Sequence, residues 1–257
     1  SRQQMIASAL MTGRFLDLKE GDNALLCLNP DYIGGKMMLV RAMEIGLNLH
    51  IVPPSSNPLN ELSPEASIQF AAFVPLQVDT LLKSKNGLGF LNSIDNIIIG
   101  GARVNNELQT NLQQVQSNVY STYGMTETVS HIALKQLNST AISDNFFLLP
   151  GIEIDLDERG CLKIKSEVTS NQWIITNDIV ELTNKDSFKW IGRIDNVINS
   201  GGIKIQIEKL EAEIQTLIPS LNFIITSGQN QKLGEVIVLI SEKRNLTSTE
   251  KELLKVA

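Results

Sequence analysis

Histidine and cysteine are scarce in this chain: 257 residues carry two of each. Cys27 and Cys161 are far apart and in no C-x-x-C spacing. Both fall in apolar, strand-like runs, so they read as buried reduced thiols, and a cytoplasmic location is the expectation. His50 and His131 are the only imidazoles a Ser-His-Asp site could use, and neither has the neighbours such a site needs. The chain has no G-x-x-x-x-G-K-[ST] loop, no G-x-G-x-x-G, no H-E-x-x-H and no G-x-S-x-G. Charge of one sign never accumulates, and the net value is −6. That speaks against a nucleic-acid surface and a polybasic membrane patch. Long apolar runs are missing as well. The most apolar stretch, KMMLVRAMEIGLNLHIV, is broken by Lys36, Arg41 and Glu44, which makes it a poor membrane span. The opening SRQQMIASAL lacks the apolar core of a secretory leader. The sequence has no repeat and no low-complexity segment, and it leaves the oligomeric state open, a homodimer included.

Hydrophobic residues make up 42%, enough for a substantial core in one large or two smaller domains. The first half alternates. NALLCLNP (23–30), LNLHIVPP, ASIQFAAFV, IDNIIIGG and SNVYSTYG read as strands. Between them, GGKMMLVRAMEIG (34–46), PLQVDTLLKSK and NNELQTNLQQVQ read as helices. Pro75 suits the first position of its helix. Short apolar strands alternating with helices imply an α/β layer with a mainly parallel sheet. From about residue 139 the pattern turns β-rich. GIEIDLDERGCLKIKS reads as a hairpin turning at DERG, followed by WIITNDIVELTN and SFKWIGRIDNVIN. Helical periodicity returns at 207–218, where Ile207, Leu210, Ile214 and Leu217 share a face. Two more strands and a helix opened by Thr247, with Glu250 as its capping partner, read as the start of a small α+β domain.

Four stretches can carry chemistry. In IIIGGAR (97–103), Gly100 and Gly101 follow a strand, where a backbone can approach a ligand closely; taken alone, an ordinary strand-to-helix turn is the commoner reading. STYGMTETVSH (121–131) offers a flat ring at Tyr123, a turn at Gly124, a hydroxyl for phosphate at Thr126 and a hard oxygen ligand for Mg²⁺ at Glu127. A polar loop capping a helix is the alternative. In WIITNDIV, Asp178 interrupts a β pattern, either to accept ribose hydroxyls or as a turn residue. In WIGRIDNVINSGGIKIQIEKLEAEI (190–214), Arg193 and Asp195 point the same way if the stretch is extended, with a Gly-Gly pair and Lys204 beyond.

Taken in order, these stretches resemble the adenylate-forming superfamily of acyl-CoA synthetases, peptide-synthetase adenylation domains and luciferases. YGMTET is similar to its adenine and Mg²⁺ motif, and GRIDNVINSGGIKIQIEKLE to its hinge motif. TND is similar to the usual threonine-glycine-aspartate, with Asn177 replacing glycine. FVPLQVDTLL and LPGIEI fit as well, so the resemblance covers nearly the whole chain. Within the superfamily, the wording is most similar to the ligases that join o-succinylbenzoate to coenzyme A in menaquinone biosynthesis.

The resemblance implies a reaction in two steps, in which ATP activates an acid as acyl-adenylate and coenzyme A then displaces AMP. It assigns Tyr123 to stack on adenine, with Gly124 and Met125 beside it. Gly100, Gly101 and Ala102 line the adenine and acyl pocket, Thr126 holds phosphate, Glu127 holds Mg²⁺, and Asp178 accepts ribose hydroxyls with Arg193 beside it. Asp195 is the hinge between a domain 1–192 and a domain 193–257, and Lys204 serves thioester formation. The superfamily's Ser/Thr/Gly-rich phosphate loop would precede this sequence, and its catalytic lysine would follow residue 257. On that reading the chain is part of a longer enzyme, and alone it binds acyl-adenylate analogues weakly with negligible turnover. The rivals are a ligase for another aryl or acyl acid and a non-catalytic adenylate-binding module.

The acid pocket is read from the residues. Arg41 lies inside the apolar run MMLVRAM, where an unpaired charge is costly. The second carboxylate of o-succinylbenzoate would satisfy it, and an internal ion pair with Glu44 or Glu61 would do the same. Ser130 and His131, just after the adenine motif, are assigned to the same pocket. Tyr32 joins them because Asp31-Tyr32 stands near the place where the superfamily has a histidine.

Overall fold

The computed structural model describes residues 1–63, 65–138, 143–219, 221–242 and 245–254. The chain divides into two compact units. The first comprises Ser1–Ile154, Ile164–Ile174 and Thr183–Phe188; the second comprises Asp155–Lys163, Ile175–Leu182 and Lys189–Ala257.

The first unit opens with α1 (Arg2–Leu16), β1 (Asn23–Leu26), α2 (Ile33–Ile45), β2 (Asn48–Ile51) and β3 (Phe70–Phe73). It continues with α3 (Pro75–Lys83), α4 (Gly87–Asn92), β4 (Asn96–Ile99), α5 (Asn106–Asn111), β5 (Asn118–Gly124), β6 (His131–Gln136) and β7 (Asn145–Leu148). Its strands neighbour one another in the order β2-β1-β3-β4-β5-β6-β7. The pairings from β2 to β5 are parallel. The central strands are apolar throughout because both their faces are covered. Phe70–Phe73 is buried throughout, as are Ala24–Leu26 and Ile97–Ile99. Burying each large apolar side chain contributes about 1.5–3 kcal/mol. Pro75 starts α3, and the Gln77 side chain accepts from the Val74 N–H at 3.1 Å. Gly46, at φ 84°, ends α2.

Two elements differ from the sequence expectation. Helix α1 is absent from it, although Ser1 and Gln4 form a capping box at its start. The change from parallel to antiparallel comes at β6, earlier than residue 139, because β5 and β6 pair antiparallel. The intervening residues, 125–130, are too few for a crossover connection.

Next come β8 (Glu153–Leu156), β9 (Cys161–Lys165), β10 (Ile174–Asn184) and β11 (Ser187–Arg193), each with residues in both units. Their order is β11-β10-β9-β8, and β8 and β9 are joined through the expected DERG turn. The rest of the second unit is β12 (Val197–Ser200), β13 (Ile203–Gln206), α6 (Ile207–Leu217), β14 (Phe223–Asn230), β15 (Gly234–Ser241) and α7 (Ser248–Leu253). A four-stranded antiparallel sheet, β13-β12-β15-β14, carries α6. Leu210, Ile214 and Ile218 form one stripe on that core with Ile198, Leu221 and Ile225. Thr247 and Glu250 cap α7, whose expected continuation over 255–257 lies outside the described residues.

Both cysteines are buried and unpaired, and burial pushes the Cys27 thiol up to about 12. Among the described residues, no helix is long and apolar enough to cross a membrane.

Candidate functional site

In the first unit, the sequence candidates cluster after β4 and β5 and on α2. Gly100 and Gly101 follow β4 directly, and Ala102 is exposed beside them. A Cβ on Gly100 would lie 2.6 Å from Thr122 Oγ1, so the two parallel strands approach closely where the candidate loop begins.

The stretch 121–131 is a strand end, a turn and a strand start, with no helix to cap. β5 runs through Tyr123 to Gly124, residues 126–128 make a 3-10 turn, and β6 starts at His131. The strand pairing slips between Tyr123 and Gly124, a bulge of the kind that re-aims side chains. Gly124 is required by close approach: a Cβ there would meet Ser130 O at 2.4 Å and His131 Cα at 2.6 Å. The Tyr123 ring packs edge-on against Phe188, centroids 5.0 Å apart, and tilts against Phe146 at 5.7 Å. Thr126 and Glu127 are both exposed, and Met125 is half-buried.

Thr128, which sequence reasoning passed over, organises this turn. Its buried hydroxyl receives the Met125 N–H at 3.0 Å and reaches the carbonyls of Met125 and Ser130. Val129 follows at φ 66°, ψ −52°, and the Ser130 N–H donates to Thr128 O at 2.7 Å. This is the rarer, strained γ-turn, and a β-branched residue is an outlier there. Such a conformation costs on the order of 1–3 kcal/mol and persists only where the surroundings impose it.

Arg41, Ser130 and His131 are brought together. Arg41 is 1% exposed, yet it pairs with no carboxylate among the described residues. Its Nη1 points at Met38 Sδ, 3.8 Å away, its Nη2 donates to Ser130 Oγ at 3.4 Å, and its Nε has no partner. Burial pushes its pKa down to about 10, so it remains a cation at neutral pH. His131 is held well below its ordinary range, first by burial and then by Arg41. Its Nδ1 lies 3.4 Å from Ser130 Oγ, and its Nε2 lies 3.0 Å from Thr12 Oγ1.

Tyr32 does not join them. It caps the start of α2, largely exposed, nine residues from Arg41, or about 13 Å along the helix axis. Among the described residues Arg41 forms no ion pair with Glu44 or Glu61; Glu44 is half-buried and Glu61 exposed.

In the second unit, Asp178 lies within β10 and is 8% exposed, so it is no turn residue. Its Oδ1 accepts from Trp190 Nε1 at 3.2 Å and lies 3.8 Å from Arg193 Nη1. Arg193 and Asp195 do not share an extended strand as expected. β11 ends at Arg193 and residues 194–196 turn as a 3-10 segment, which bends Asp195 back onto the guanidinium. Two bonds join them, Nε to Oδ1 at 2.9 Å and Nη2 to Oδ2 at 2.6 Å. The pairing lowers the Asp195 pKa and raises that of Arg193. Glu208, part of the hinge motif but assigned no role from the sequence, is buried and accepts from Asn196 Nδ2 and Gln206 Nε2, both at 2.6 Å. Lys204 is exposed on β13, opposite Asn199 across a two-residue turn at Gly201-Gly202. Both glycines have positive φ, as a tight hairpin of this twist requires.

The family model for AMP-binding enzymes matches residues 1–163. The chain belongs to that family. One solved AMP-binding relative is the acyl-CoA synthetase (AMP-forming)/AMP-acid ligase II-like protein of Dyadobacter fermentans. It is 41% identical, with a TM-score of 0.74 over 98% of this chain and 73% of that one. The 2-succinylbenzoate–CoA ligase of Escherichia coli is 24% identical over 93% of this chain and 54% of its own length. The Bacillus subtilis o-succinylbenzoate coenzyme A synthetase, solved with ATP and magnesium, shares the fold. Its TM-score is 0.76 at 19% identity, over 99% of this chain and 59% of that one. The chain spans about half the length of the curated AMP-binding relatives it matches.

Among the described residues, no group of three or more acidic, histidine or cysteine side chains could hold a metal alone. A lone exposed carboxylate such as Glu127 fits Mg²⁺ of the kind that keeps waters and takes phosphate oxygens as its other ligands.

Proposed function

We propose that this chain is the adenylate-binding part of an AMP-forming acid–CoA ligase whose acid is o-succinylbenzoate. The observation that carries the reading is Arg41, a buried cation with no carboxylate partner among the described residues. Burying such a charge is unfavourable unless something pairs with it. A carboxylate that is not consumed in the reaction answers that need bidentately. Of the two carboxylates of o-succinylbenzoate, one is activated and the other remains. The names of the curated relatives point to the same acid.

In this reading the Tyr123 ring faces adenine, and Gly100, Gly101 and Ala102 border the base and the acyl group. Gly124 and Met125 continue that wall. Thr126 holds a phosphate oxygen, and Glu127 holds Mg²⁺, whose bound charge would offset that building up on the phosphates. Asp178 takes the ribose hydroxyls, oriented by Trp190 and Arg193. Asp195 is the hinge, and Lys204 acts in the thioester-forming state. The work of these groups is positioning and electrostatic stabilisation of a charged phosphoryl transition state. The acid pocket consists of Arg41, Ser130 and His131, without Tyr32. Coenzyme A is the second substrate and the cytoplasm the expected location.

The test is Arg41→Ala in the full-length enzyme, assayed by pyrophosphate release. The acid's KM rises at least tenfold while that of ATP stays within twofold, the loss expected for a hydrogen-bonded charge. Equal effects on both would sink the reading.

A further inference from the structure

Four side chains and one carbonyl form a line that ends at the buried guanidinium of Arg41. Arg41 Nη2 is 3.4 Å from Ser130 Oγ, Ser130 Oγ is 3.4 Å from His131 Nδ1, and His131 Nε2 is 3.0 Å from Thr12 Oγ1. Thr12 Oγ1 in turn lies 3.0 Å from the carbonyl oxygen of Ser8, within α1. Thr12 is fully buried and His131 nearly so.

The hydrogens in this line have one arrangement that uses all of them. A guanidinium only donates, so Ser130 Oγ accepts from Arg41. The carbonyl of Ser8 only accepts, so the Thr12 hydroxyl gives its hydrogen there. Thr12 Oγ1 then accepts from His131 Nε2–H. A neutral ring protonated at Nε2 presents Nδ1 as an acceptor, and that nitrogen takes the hydrogen of Ser130. Reversing the line would put the proton on Nδ1, and the half-buried Ser130 hydroxyl would have no acceptor for its hydrogen among the described residues. Burial and the neighbouring Arg41 cation both keep the ring neutral.

We infer that Thr12 and His131 are positioning residues, which hold the Ser130 hydroxyl with its lone pairs toward Arg41 and so orient the guanidinium for a single carboxylate. No motif points to Thr12, and it touches no substrate in this arrangement. It acts through His131, and His131 through Ser130. The role toward the acid rests on the reading of the Arg41 pocket given above; the direction of the hydrogen bonds does not. A neutral imidazole also leaves Arg41 as the one positive charge in the cluster, which matches one carboxylate better than a dianionic phosphate.

The experiment combines a spectroscopic and a kinetic readout. The chain has only two histidines, so a long-range ¹H–¹⁵N spectrum of protein labelled at histidine contains two ring patterns, His50 and His131. The His131 pattern is expected to be the neutral Nε2–H form. Thr12→Val keeps the side-chain shape but removes the acceptor, and it moves the proton to Nδ1. Thr12→Ser restores the Nε2–H form. In the full-length enzyme, Thr12→Val raises the acid's KM about tenfold with ATP's KM unchanged, and Thr12→Ser brings it back. A ring that carries its proton on Nδ1 in the unmodified protein overturns the inference. So does a Thr12→Val protein with an unchanged tautomer or an unchanged acid KM. The unmodified spectrum decides the direction of the line even if a variant folds poorly. An Arg41→Ala enzyme with unchanged acid KM, alongside the expected tautomers, would instead remove the acid reading and leave the hydrogen-bond line standing.

Discussion

Arg41 Nη2 and Ser130 Oγ meet at 3.4 Å across 89 residues of chain, and among the described residues this long contact is the only oxygen the buried guanidinium reaches. The protein therefore keeps a strong donor fork in its interior with most of its capacity unused. That has a thermodynamic consequence as well as a functional one.

Replacing Arg41 by Met should stabilise the ligand-free protein. Methionine fills a similar volume without a charge to desolvate, and exchanges of this kind contribute about 1–3 kcal/mol. Urea denaturation of both proteins measures the difference. A variant less stable than the parent would show that some group compensates the guanidinium.

Val129→Gly separates strain from function in the same pocket. Glycine adopts φ 66° freely, so the fold should gain about 1 kcal/mol, less the added chain entropy of glycine. The turn then holds Ser130 less firmly, and affinity for the acid drops several-fold. Thermal melts and acid titrations of the one variant should move in opposite directions.

Gly124→Ala and Gly89→Ala form a contrasting pair. A methyl at 124 collides with the Ser130 carbonyl, and overpacking against backbone costs about 1–3 kcal/mol. A methyl at 89, in α4, meets nothing within 4 Å and stabilises the helix by about 0.5–1 kcal/mol. If both variants shift the melting temperature alike, the close approach of Gly124 is not limiting.

The depressed pKa of His131 makes a pH prediction. Above the unfolded value of about 6.5, both states hold a neutral ring and no linkage arises. Below it, the unfolded chain takes up a proton that the native ring refuses, so native stability falls with falling pH until the folded value is reached. Between pH 7.5 and 5.5 the unmodified protein should lose about 1 kcal/mol more than His131→Gln. Parallel stability curves for the two proteins would refute it.

Asp178→Ala should weaken AMP binding by about tenfold to a hundredfold, the range for a hydrogen-bonded carboxylate. The same change releases Trp190 Nε1, which donates to Asp178 at 3.2 Å. With only Trp173 and Trp190 present, the emission spectrum reports that release directly.

Much of this was legible in the sequence, for identifiable reasons. The parallel strands announced themselves because Phe70–Phe73 and Ile97–Ile99 are apolar on both faces and bounded by proline or glycine. Arg41 was conspicuous because a cation interrupted an apolar helix. Local pattern failed where long-range partners decide. Thr12 is an unremarkable helical residue until His131 is folded against it. Tyr32 caps the helix that carries Arg41, and the length of that helix separates them. The bend that folds Asp195 onto Arg193 replaces an extended strand whose residues gave no sign of it. Helix α1 could have been found from Ser1 and Gln4, whose spacing is that of a capping box.

The bond from Thr12 to His131 spans 119 residues, and that from Gln4 to the Val168 carbonyl spans 164. Contacts so distant in sequence carry the largest loop-closure entropy and are slow to form. Helix α1 is thus tied by these two bonds to residues far along the chain, and opening of α1 would break both at once. Thr12 leaves His131 whenever α1 opens, so an amide-exchange experiment that catches that opening also times the loss of the proposed hydrogen-bond line.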